Sequence, residues 1–159
     1  MSPRKLMCRL MYGVWVVVVV GLVPDGVARA AGPGVALDAV TLTHMEEQAA
    51  QANPRDRCYR YAEVLAALTE LEGQQIAAGQ EAQARVTMQQ MNDIAAKVQA
   101  EAVGNAKRLK DTEMMLERTT RRVSDMVHVV GYAQESAMQA TLQHLNAVHT
   151  KVLAMVFAH

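Results

Sequence analysis

In the stretch NPRDRCYRY, Asn53 to Tyr61, a single cysteine stands among three arginines and two tyrosines. Nearby cations lower a thiol's pKa, and the thiolate is the nucleophile. Arg55, Arg57 and Arg60 around Cys58 therefore raise the question of a reactive sulfur. An odd cysteine in an exported chain also suggests a disulfide to a second chain, and that is the functional candidate at Cys58. The simplest reading is that Cys58 packs as a small hydrophobe at the start of an apolar helical stripe.

Methionines and histidines form a second candidate set. Met88 and Met91 fall on one helical face, and His144 and His149 lie further along the chain. Thioether and imidazole ligands suit copper, so these four residues are the candidate metal ligands. Against them, Met88 and Met91 also occupy core-type positions. His144 and His149, five residues apart, diverge around a helix. No HExxH motif and no paired CxxC is present, so no resident cofactor is expected.

Hydrolytic chemistry is poorly supplied. After the first thirty residues the only serines are Ser124 and Ser136. Ser124 could meet His128 one helical turn on, but no nucleophile elbow surrounds it. No glycine-rich phosphate loop occurs, and the chain is not expected to be an enzyme. The basic cluster Arg118, Arg121 and Arg122 has Glu117 and Asp125 at i, i+4 spacing from Arg121, which reads as a solvated, ion-paired helix face.

The elements that would position these residues begin with a leader. Arg4, Lys5 and Arg9 precede an apolar run from Leu10 to Val23, and Ala28-Arg29-Ala30 offers small residues for cleavage. This is the layout of a secretory signal peptide. The apolar run falls short of the roughly 20 residues of a spanning helix. The expectation is cleavage after Ala30, a flexible leader over 31–37 and one domain over 38–159, exported to the periplasm or outside the cell. No stable membrane span is expected to remain. The full chain has 16 basic and 16 acidic residues; losing four basic residues and Asp25 leaves 12 against 15, a net charge of −3. That balance gives no case for nucleic acid, whose binding rests on many phosphate contacts.

Alanine, leucine and methionine dominate the rest, and the fold class is all-α. Helices are predicted over about 38–52, 54–77, 81–130 and 134–157. Asn53, Pro54 and Asp56 suit a helix start, and Gly79 suits a left-handed stop. Leu68, Leu71, Gly79, Ala84 and Met88 are spaced as in one tetratricopeptide hairpin. No second copy follows one period on, so the stretch reads as a generic αα-hairpin. The segment 81–130 carries two heptad rows, one wholly apolar through Met88, Ala95, Ala102, Leu109, Leu116, Val123 and Val130, the other through Met91, Val98 and Met126 but polar at Asn105, Thr112 and Thr119, an imperfect seam. The rows pass Gly104 without a phase slip. The preferred architecture is an elongated antiparallel bundle or hairpin around one long central helix. The alternative is an up-down four-helix bundle broken at Gly104-Asn105.

The functional expectation is an exported helical interaction or assembly protein. It would self-associate, or bind another exported protein, through a seam of Leu109, Leu116, Val123, Met126 and Val130. The alternative is a periplasmic copper-handling or stress protein using the methionine and histidine set.

Overall fold

The structure, a computed structural model, describes residues 38–102 and 106–158. The expected signal peptide, the 31–37 leader and the Gly104-Asn105 pair lie outside these. The fold is all-α. Every regular element among the described residues is a helix: α1 (Ala39–Gln51), α2 (Arg57–Ala77), α3 (Glu81–Glu101), α4 (Leu109–Val127) and α5 (Tyr132–Phe157).

Local chemistry accounts for most boundaries. Asp38 caps α1, its carboxylate accepting from Thr41 N at 2.7 Å; hydrogen bonding from the Thr41 side chain and then from its backbone N–H holds the Asp38 carboxyl below its ordinary pKa. Asn53 does not start α2 directly. Its side chain accepts from Arg55 N at 3.0 Å, its carbonyl accepts from Asp56 and Arg57 N, and regular helix begins at Arg57 rather than Pro54. Gly79 adopts φ +69° between α2 and α3, the left-handed conformation that a side chain resists.

The long helix expected over 81–130 does not form. α3 ends at Glu101, α4 begins at Leu109, and Arg108 before it is left-handed, with φ 60°. The heptad phase could not reveal this, because both halves face one core and need the same spacing. Contacts with the start of α2 fix the return of the chain. Lys107 N donates to Arg55 O at 2.7 Å, and the Arg108 guanidinium lies 3.5 Å from the centre of the Tyr59 ring. Arg108 also donates to Asp111 at 2.9 Å. Its positive charge, unfavourable near a helix N-terminus, is thereby compensated.

The packing follows from these returns. α2 lies against α3 and α4, α5 lies against the same two helices, and α1 lies on α2. Cross-links give the directions. Gln75–Thr87 and Cys58–Val98 make α2 and α3 antiparallel. Tyr59–Arg108 and Glu70–Arg122 make α2 and α4 parallel. Glu113–His149 makes α4 and α5 antiparallel. Leu65, Met91, Ile94, Leu116, Met138 and Leu145 are among the fully buried side chains at the centre. Thr69 and Thr112 share that core because each hydroxyl donates to its own helix, to Leu65 O and Arg108 O.

A left-handed backbone costs a residue with a side chain about 1 kcal/mol or more. Both Arg108→Gly and Arg108→Ala lose the Tyr59 contact, but only alanine keeps the strain. Urea unfolding should find Arg108→Gly more stable than Arg108→Ala by about 1 kcal/mol; equal stability would remove the strain at this turn.

Candidate functional site: an apolar groove beside a buried carboxyl

Cys58 is fully buried, and its thiol lies 3.7 Å from Val98 O, to which it can donate. Burial pushes its pKa up to about 11; a Thr112 hydrogen bond opposes this and the Glu101 carboxylate adds to it. The arginines beside it in sequence are engaged elsewhere. Arg57 reaches Ala52 O and Glu101, and Arg60 pairs with Glu63. The folded chain therefore does not present this sulfur to a second copy, and the intermolecular disulfide gives way to packing.

The copper candidates take up structural contacts in the fold. Met88 and Met91 are core residues of α3. His144 Nδ1 lies 3.0 Å from Asn92 Oδ1, while Asn92 Nδ2 donates to Thr141 Oγ1 at 2.9 Å and to Met88 O at 3.0 Å. His149 Nε2 lies 2.9 Å from Glu113 Oε1. These links tie α5 to α3 and to α4 respectively, so the two histidines act as cross-links on different helix pairs. The described residues contain no group of three or more His, Cys, Asp or Glu placed to hold a metal ion.

The seam is also turned inward. Leu116, Val123 and Met126 are buried, and Leu109 and Val130 pack half-buried against the same core. Their partners are helices of the same chain, so a second copy cannot use this row without unfolding the bundle. On the outer face the expected Glu117–Arg121 pair is present, whereas Arg122 turns to Glu70 on α2 at 3.7 Å.

Two features escaped the sequence reading. The first is a groove of about 500 Å³ where α1 crosses α2 and α3, within the size range of binding pockets. Leu42, Val64, Leu68, Leu71 and Val86 supply apolar walls, and Thr43, Gln75, Gln83, Thr87 and Gln90 supply neutral hydrogen-bonding groups. Its one titratable lining residue, Glu46, is paired with Lys97 on α3. Its α2 lining, Val64, Leu68 and Leu71, belongs to the same apolar stripe as the core, so no separate signal for it stands in the sequence.

The second is Glu72. It is fully buried, neither carboxylate oxygen has a hydrogen-bond partner, and burial alone pushes its pKa up to about 7. Its signal was a heptad: Cys58, Leu65 and Glu72 stand seven apart, which puts a carboxyl in a core position.

No protein-family model, no curated protein and no solved structure matches the chain. The functional reading therefore rests on this geometry.

A thiol this buried should resist a soluble disulfide reagent at about pH 8 while the chain is folded, and react at once in denaturant. Fast reaction of native protein would show that Cys58 is accessible after all.

Proposed function

We propose that the chain is an exported, non-catalytic helical interaction protein that pairs with a second copy of itself through the α1–α2–α3 groove. The observation that carries this reading is the groove's composition. It is an apolar concavity with neutral polar edges and one ion-paired carboxylate, a surface suited to receiving side chains rather than to proton or metal chemistry.

A twofold contact uses the same patch on both partners and must hold both projection and recess. Val86, 55% exposed, forms part of the groove wall on α3 and is the apolar projection beside the recess. A second copy turned about an axis through this face could place its Val86 in the groove and cover the first. Export is supported by the basic, apolar and small-residue layout before Ala31. No helix among the described residues is long and apolar enough to cross a membrane.

Expressed with its own leader in an exporting host, the chain should begin at Ala31 by mass spectrometry. Light scattering should give a dimer, unaffected by reductant because Cys58 is buried. Val86→Glu, at an exposed position, should leave helicity intact and weaken the dimer at least about tenfold, or roughly 1.4 kcal/mol. A monomer at all concentrations would overturn self-association. A dimer indifferent to Val86→Glu would move the contact to another face.

A further inference from the structure

We propose that Glu72 is a proton-operated latch: neutral, it lets the α2–α4 contact close, and ionised, it loosens that contact and draws Arg122 away from Glu70. The geometry supports each part. Glu72 is enclosed within the bundle, and its two oxygens meet no donor. An unpaired carboxylate there would lose its hydration without replacement, a far larger penalty than the neutral acid incurs. The site therefore favours the protonated form, and the rise in pKa to about 7 by burial agrees.

The surroundings supply one candidate counter-charge. On α3 the level of Glu72 is fixed by Gln75–Thr87 and Thr69–Met91, and Thr87 to Met91 contain no titratable residue. On α1 the groove sets Ala39, Leu42 and Thr43 near Leu68 and Leu71, while Glu46 is held by Lys97. On α5, Glu135 lies nearest in level and accepts from Gln139 at 3.0 Å. On α4 the charged groups within about a turn of this level are Arg118, Arg121, Arg122 and Asp125, all exposed, and Arg121 is paired with Glu117.

Arg122 is the one placed to respond. A Cβ built on Gly73 would lie 3.3 Å from its Nη2 atom, so the guanidinium rests over the α2 backbone beside Glu72. Its present partner Glu70 is 3.7 Å away and more than half exposed, a loose surface pair of small energetic value. An ionised Glu72 offers a less hydrated anion one residue from Gly73.

The sign of the pH effect follows. Glu72 binds its proton more tightly in the folded chain than the ordinary carboxyl value of 4.5. The latch is fully closed at low pH. Its contribution declines as pH rises above that ordinary value and is gone once pH passes about 7.

The test is urea unfolding of the exported chain at about pH 5 and about pH 8.5, with hydrogen exchange of the segments 68–76 and 119–126 corrected for intrinsic rates. Between these conditions the wild-type unfolding constant should rise on the order of 100-fold, with faster exchange in both segments. Glu72→Gln, and Glu72→Met as a second variant should glutamine pack poorly, should remove most of that rise and hold exchange at its low-pH level. Arg122→Gln should steepen the wild-type loss by removing the counter-charge. A pH slope unchanged in both Glu72 variants would overturn the latch, and Arg122→Gln behaving as wild type would overturn the exchange of partners.

Discussion

The hydrogen bond from Lys107 N to Arg55 O does more than close a loop. It sets where the chain re-enters the bundle after α3, and with it the direction of α4. Around it, Arg108 covers Tyr59, Arg57 faces Glu101 at 3.8 Å, and Cys58 meets Val98. All of these involve the first turn of α2, which thereby holds the end of α3 and the start of α4 together. Without this anchor, α3 and α4 could continue as one rod. The core residues of α4 would then lose α2, their neighbour within the chain. The left-handed Arg108 is the local cost of the reversal, of order 1 kcal/mol. Burial of Leu116, Val123 and Met126 outweighs it, since each large apolar side chain contributes about 1.5–3 kcal/mol.

Polar groups inside the bundle divide into two kinds. Thr69 of α2 and Thr112 of α4 bond to the backbone one turn back and leave their methyls to pack, so they cost little. Asn92 with His144 and Thr141, and Glu113 with His149, are cross-links that fix the level of α5 against α3 and α4. Such bonds favour one alignment over a slipped one, a task that interchangeable alanines and leucines perform poorly. Glu72 belongs to neither kind. It makes no bond of its own, and a buried group in that state costs stability, so its retention in the core requires an explanation outside packing.

The helical class, the Gly79 turn, the ends of α1 and α2 and the inward faces were legible in the sequence because they depend on local spacing and on single residues with one dominant preference. The α3–α4 break was not. Its cause is a contact between residues some fifty positions apart, and heptad phase is blind to whether a helix continues or folds back on itself. For the same reason the seam looked like an assembly surface. An a/d stripe records that something covers it, whether a second chain or another part of the same chain. Residue type suggested ligands at the histidines and methionines; in the fold Met88 and Met91 fill the core, and His144 and His149 link helices. Glu72 was legible in principle, since its seven-residue spacing from Cys58 and Leu65 places it on the core side.

The groove owes its character to the unequal footing of the five helices. α3, α4 and α5 each pack on two neighbours and α2 on three, whereas α1 lies on α2 alone and reaches α3 through the Glu46–Lys97 pair. Only Leu42 and Ala49 of α1 are fully buried. With one helix neighbour and two buried side chains, α1 is the least firmly held helix, and it forms one wall of the groove. A surface with one yielding wall and a floor fixed by α2 and α3 can adjust to an incoming side chain without disturbing the core. The turn of α2 that forms part of that floor, Leu68 to Gln75, also carries Glu72. The protonation state of the core carboxyl and the shape of the groove are therefore set by the same two turns of helix.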